Sequence, residues 1–140
     1  MHLLKKVKQL FLPRPIQQLI LQEAVLDKIC DLSKDSYPKE FLAFLEGKTE
    51  KGKLVITDIV YQMYLANEYA ALPRMDLPII NNVLGTVHSH PSGSAKPSGA
   101  DKQFFKHQGI VHFIIANPFT KENLHCYDKE GNELIFQVIQ

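Results

Sequence analysis

Two histidines one residue apart stand in His88-Ser89-His90-Pro91, and a carboxylate follows in Pro97-Ser98-Gly99-Ala100-Asp101. Val83 to His90 reads as a strand. Side chains alternate along an extended chain, so His88 and His90 then face the same way. Two imidazoles on one face at a strand end can grip one metal ion. Imidazole suits zinc, and a third, oxygen ligand completes three protein ligands with water in the fourth place. The loop from Pro91 to Pro97 gives the chain room to turn back and present Asp101. An open fourth position means chemistry rather than architecture, and that chemistry is metal-dependent hydrolysis. Water on such a zinc falls from a pKa of about 15.7 toward about 7.

Plainer readings compete. An H-x-H pair in a strand also occurs as two hydrogen-bonded surface or core histidines. Ser98 to Asp101 also makes a helix N-cap, with Ser98 capping and Asp101 favouring the positive helix end. The cap does not explain the two histidines before the loop, or Pro91 and Pro97 bracketing it. The two readings are compatible, because a capping segment is a rigid way to hold a ligand. His2, His107, His112 and His125 read as ordinary surface or core residues.

The site needs elements to position it. From Ile16 to about Leu32 the apolar residues Ile16, Leu19, Ile20, Leu26, Ile29 and Cys30 recur at helical spacings and predict a helix with one buried stripe. Ser36-Tyr37-Pro38 ends it or follows its end. Phe41 to Leu45, closed by Gly47, reads as a short buried strand. Leu54 to Tyr61 reads as the next strand, after a turn near Lys51-Gly52. Residues 62–82 show no clean pattern, with a strand around 68–77 expected. After the loop at Ser92 to Gly99, a helix runs to about His107 and stops at Gly109. Val111 to Ala116 is a buried strand. Leu124 to Asp128 and Leu134 to Ile139 flank Glu130-Gly131-Asn132 and read as a hairpin.

Composition sets the limits. A chain of 140 residues with 45% hydrophobic content is expected to form one domain, spanning 1–140. Its 16 Lys+Arg balance 15 Asp+Glu, so no basic excess points to nucleic acid. The mildly basic segment 2–14 reads as a solvated helix start. No apolar run approaches the roughly 20 residues that span a bilayer. Leu10-Phe11-Leu12-Pro13 is too short for a signal-peptide core of about 7–15 residues. A soluble, cytoplasmic protein without a membrane partner is the expectation. Cys30 and Cys126 make no disulfide framework; buried thiols or a single bridge both fit.

Together these residues resemble the JAMM (MPN+) zinc metalloproteases. That family's signature is a glutamate, then H-x-H-P, six or seven residues, and S-x-x-D. Here the six residues 92–97 separate Pro91 from Ser98. Pro38-Lys39-Glu40, with Gly47 seven residues after the glutamate, is similar to the segment around the family's catalytic glutamate. A glycine common three residues after that glutamate is Ala43 here, and Tyr127-Asp128-x-x-Gly131 also looks familiar. The resemblance runs from about residue 16 to the end. The loop also resembles RadC-type domains, but the Glu40 to Gly47 segment fits the JAMM proteases better.

Carried over, the resemblance implies that His88, His90 and Asp101 bind zinc. It makes Glu40 the general base and acid, and Ser98 a hydrogen-bond donor to the oxyanion of the tetrahedral intermediate. Spacing alone does not distinguish Glu40 from other acidic residues. The implied fold is a mixed α/β (α+β), cytidine-deaminase-like one, a curved mixed β-sheet packed with helices. The implied activity is hydrolysis after the C-terminal Gly-Gly of ubiquitin or a ubiquitin-like modifier, by zinc-bound water. The chain looks like the compact archaeal or bacterial single-domain members, which process ubiquitin-like proteins that also serve as sulfur carriers. Two alternatives stay open: a peptidase trimming the C-terminus of such a carrier, and a non-catalytic MPN interaction scaffold. Oligomeric state is not legible.

Overall fold

The computed structural model describes residues 16–65 and 83–140. In chain order the elements are β1 (Gln18–Gln22), α1 (Glu23–Ser36), β2 (Glu40–Glu50), β3 (Lys53–Leu65), β4 (Val83–His90), α2 (Gly99–Phe105) and β5 (Val111–Ala116). A 3₁₀ turn (Lys121–Asn123), β6 (Leu124–Tyr127), β7 (Glu133–Leu134) and β8 (Gln137–Ile139) complete it. The strands form one eight-stranded mixed sheet in the order β7-β6-β5-β4-β2-β3-β1-β8. Strands β7 and β8 lie at opposite ends of that order, yet only Ile135 and Phe136 separate them in the chain. Three Cα steps span at most about 11 Å, so the sheet must curl until its two ends nearly meet.

The hollow of that curl is the main core. Helix α1 lays Val25, Leu26 and Ile29 into it. Phe41, Ala43 and Leu45 of β2, Val87 of β4, and Phe113 and Ile115 of β5 meet them there. The alternate residues of the same strands face outward to α2. Leu42 and Ile114 pack there with Phe104, Phe105 and Tyr127. Strands β2, β4 and β5 are thus buried on both faces, and in β2 and β5 the apolar runs are nearly continuous. The candidate site lies on the α2 face.

Several expectations change. The segment expected as one helix from Ile16 is a strand followed by a helix. Leu19, Ile20 and Leu21 are all buried, and a surface helix, turning about 100° per residue, cannot hide three successive residues in one stripe. As a strand between β3 and β8, parallel to both, the run buries both faces. Strand β2 does not close at Gly47 but continues to Glu50. Gly47 marks a bulge in the β2–β3 ladder, where a Cβ would overlap the Val55 carbonyl oxygen. The turn at Lys51-Gly52 is as expected: both residues have positive φ (48° and 81°), the requirement of a two-residue I′ hairpin. The C-terminal hairpin is shorter than expected. Strand β6 pairs with β7 over Cys126↔Leu134 and Tyr127↔Glu133, and residues 137–139 leave to join β1.

Strands β4 and β5 have the expected bounds, and α2 ends at Phe105 rather than His107. The basic segment 2–14, His2 and the strand expected around 68–77 lie outside the described residues. Cys30 and Cys126 are unpaired, and burial pushes the Cys126 thiol up to about 12. Among the described residues no helix is long and apolar enough to cross a membrane.

Candidate metal centre

Strand β4 carries both histidines to its C-terminal end, between β2 and β5. The antiparallel register Leu42↔His88 and the parallel register His88↔Ile114 place His88 on the α2 face. His90, two residues on, shares that face. After the loop, α2 begins at Gly99 with Ser98 as its N-cap and Asp101 in its first turn. Ser98 Oγ accepts the Asp101 N–H at 3.0 Å, and Asp101 Oδ2 accepts the Ser98 N–H at 2.8 Å. This reciprocal capping box fixes the Asp101 carboxylate against the histidines. The cap is as expected, and the capped residue presents its carboxylate to both histidines.

His88 Nε2 lies 3.0 Å from His90 Nε2 and 3.3 Å from Asp101 Oδ1, and His90 Nε2 lies 3.1 Å from Asp101 Oδ2. One donor atom from each residue falls within 4.8 Å of the others. His90 Nδ1 lies 2.9 Å from the Ser94 carbonyl oxygen. A carbonyl only accepts, so Nδ1 carries the hydrogen and neutral His90 presents a lone pair at Nε2. That lone pair points at a carboxylate oxygen and at a second imidazole nitrogen. With His88 in the matching tautomer, all three residues present lone pairs to one point and can share a cation there. Two imidazole nitrogens on one tetrahedral zinc would be about 3.3 Å apart, close to the spacing seen. The donor set therefore fits zinc with one position open.

Electrostatics agree. Burial favours the neutral form of Asp101, but the adjoining His88 and His90 imidazoles and the Ser98 N–H outweigh it and hold the carboxyl well below the usual carboxylate range. Burial opposes charging of His90, yet its bonds to Asp101 and the Ser94 carbonyl, with the charges of Asp101 and Glu40, raise its pKa. The site thus attracts positive charge.

Glu40 is the first residue of β2 and is buried, 7% exposed. Continuing the β2–β4 register from Leu42↔His88 by two residues sets Glu40 opposite His90, on the same face. The structure thus brings Glu40, His88, His90, Ser98 and Asp101 to one end of the sheet. Ser98 is exposed, and its hydroxyl, while accepting from Asp101 N–H, keeps its own hydrogen for another acceptor.

Other residues brace this end in roles that the sequence did not indicate. Tyr127 Oη donates to the Ala95 carbonyl at 2.7 Å, and Asn117 Nδ2 donates to the Pro91 carbonyl at 3.1 Å. Together they tie down the loop whose Ser94 carbonyl orients His90. Ser89 Oγ accepts the Phe41 N–H at 2.8 Å. His112, read as an ordinary core residue, is buried with its Nδ1 2.8 Å from Thr86 Oγ1, and it stacks on Phe105 with ring centroids 4.2 Å apart. His88 Nδ1 and His112 Nε2 are buried without a hydrogen-bond partner among the described residues. His125 pairs with Glu133 at the surface at 3.4 Å.

Comparison with known proteins points the same way. A family model described as prokaryotic homologs of the JAB domain matches residues 22–128. A probable metalloprotease from Haloferax volcanii is 31% identical, over 76% of this chain and 70% of that protein. A structure described as a JAMM metalloprotease-like zinc site in the proteasome and signalosome shares the fold at a TM-score of 0.68. It is 28% identical and is covered over its whole length (100%), against 89% of this chain. A JAB1/MPN domain protein from Archaeoglobus fulgidus gives a TM-score of 0.67 at 28% identity, over 86% of this chain and 98% of that one. With its curled mixed sheet and its His-His-Asp donor set, the chain belongs to the JAMM/MPN family, among the prokaryotic homologues of the JAB domain.

Proposed function

We propose that the chain is a zinc-dependent peptidase or isopeptidase that hydrolyses the bond after the C-terminal Gly-Gly of a ubiquitin-like protein. The observation that carries the peptidase reading is the convergence of His88, His90 and Asp101 on one point of the face that Glu40 shares. Zinc held there supplies Lewis acidity, acidifying water and polarising a carbonyl. Glu40, a buried carboxylate beside that point, takes the proton of the attacking water and passes it to the leaving amine. Ser98 offers its O–H to the oxygen on which negative charge develops. A rigid capping box holds both Ser98 and Asp101, so these groups need little rearrangement as charge moves.

The substrate reading has a steric argument as well as the family likeness. The ligand side chains are nearly closed off, at 0% exposure for His88, 7% for Asp101 and 14% for His90. A scissile carbonyl must reach that recess along a thin chain, and Gly-Gly is the thinnest a peptide offers.

The test is cleavage of a ubiquitin-like protein joined through its C-terminal Gly-Gly to a lysine side chain, with zinc supplied. Wild type cleaves, and Glu40→Ala keeps zinc but loses at least about a hundredfold in rate. Unchanged turnover in Glu40→Ala would remove Glu40 from the mechanism. No cleavage with zinc bound would transfer the reading to trimming of a linear C-terminal tail. Absence of both zinc and cleavage would favour an interaction scaffold.

A further inference from the structure

We propose that Ser89, the residue between the two metal-binding histidines, is a positioning residue for Glu40. The proposal rests on the reading of Glu40 as the general base. Ser89 points to the opposite face from His88 and His90 and is fully buried. Its Oγ accepts the Phe41 N–H at 2.8 Å, between residues 48 apart in sequence. The peptide unit that carries the Phe41 N–H also contains the Glu40 carbonyl, and the unit is planar. Ser89 therefore grips the backbone plane that leads out of Glu40.

The place of this bond in the sheet gives it its importance. The regular β2–β4 pairing runs from Glu46↔Val83 to Leu42↔His88. Glu40 lies beyond that last rung, at the first position of β2, with the turn of residues 37–39 before it. The Ser89 bond extends the attachment one residue past the regular rungs. It links the strand of the base to the strand of two metal ligands through a residue flanked by both. A shift of β2's first residues against β4 changes the distance from Glu40 to the metal while leaving His88, His90 and Asp101 in place. A displacement of about 1 Å in a reacting group can cost as much as about a hundredfold in rate.

The experiment uses the zinc-loaded full chain and compares wild type with Ser89→Ala and Ser89→Thr. Ser89→Ala is expected to lose ten- to a hundredfold in kcat, with KM and zinc stoichiometry unchanged. Hydrogen exchange at the Phe41 amide is expected to accelerate at least tenfold. Ser89→Thr keeps the hydroxyl and is expected to recover both kcat and Phe41 protection. An Ala variant within twofold of wild-type kcat overturns the proposal. So does a loss of zinc in step with kcat, which would make Ser89 a prop of the ligands. Should Ser89→Ala fail to fold, Ser89→Thr and Ser89→Cys decide the matter: kcat must follow Phe41 protection in both, and a kcat that varies independently of it refutes the clamp. The two readings fail differently. A Glu40→Ala variant that turns over as fast as wild type removes Glu40's role as base, whereas unchanged Phe41 exchange in Ser89→Ala removes the clamp itself.

Discussion

The buried imidazole of His112 should make the protein lose stability in mild acid, by an amount the structure lets us work out. Burial is the main cause that lowers its pKa, from 6.5 to about 4. Between those values the unfolded chain binds a proton that the folded chain refuses. Unfolding then takes up protons, and stability rises with pH through this window. The neutral-imidazole contribution is complete above about pH 6.5 and is lost as pH falls toward about 4, below which it is flat. Each tenfold difference in proton affinity between the two states is worth about 1.4 kcal/mol, so the loss is about 3 kcal/mol. The assay is urea unfolding at intervals from pH 4 to 7.5, for wild type and His112→Phe. Phenylalanine retains the stack on Phe105 and does not titrate. Asp101 also makes stability fall in acid, since its folded pKa is depressed. Both proteins keep Asp101 and the histidine ligands, so the difference between the two curves isolates His112. Wild type should lose about 3 kcal/mol more than the variant across the window. Parallel curves, or a wild type that loses stability as pH rises, would refute the claim that His112 is held neutral.

Other outcomes follow from single contacts. Asp101→Asn keeps an acceptor for the Ser98 N–H but loses the anionic ligand. It should retain α2 by circular dichroism while zinc affinity falls by more than about a hundredfold. Wild-type affinity in a competition titration would exclude Asp101 as a ligand. Gly47→Ala drives a Cβ into the Val55 carbonyl oxygen. It should destabilise by roughly 1–3 kcal/mol in urea unfolding, and a neutral result would mean that the bulge relaxes freely. Tyr127→Phe removes the bond to the Ala95 carbonyl and should cost about 1 kcal/mol of stability. No loss in thermal or urea unfolding would show that the loop does not need this tie.

The ligand set is legible in the sequence for a physical reason. Strand alternation alone puts His88 and His90 on one face, whatever the rest of the sheet does. The cap signature likewise fixes Ser98 and Asp101 locally. Glu40 is different: its nearness to His90 depends on pairing between segments some fifty residues apart, and only the likeness to a family of known motif singles it out. Strand β1 escapes notice because Leu19-Ile20-Leu21 is buried on both faces and carries no period of two. Its partners, β3 and β8, are distant in the chain. Strand β8 escapes for the same reason, since nothing local separates its three residues from a continued hairpin. Gly47 looks like the end of a strand because a glycine needed for close approach and one needed for a turn are the same letter.

This division between local and distant determinants has a functional consequence. Asp101, Ser98 and the Ser94 carbonyl that orients His90 all lie within the short stretch from β4 to the start of α2. Capping and loop bonds preorganise that stretch, so metal capture requires little new ordering. The base is held by another segment, and the Ser89 bond is one hold on β4 beyond the regular rungs. Local opening at the start of β2 would therefore withdraw Glu40 and leave the three ligands gathered. A chain loaded with zinc and a chain competent for hydrolysis are then separate states. Metal content measured alone will overstate the active fraction wherever the β2–β4 contact is weakened.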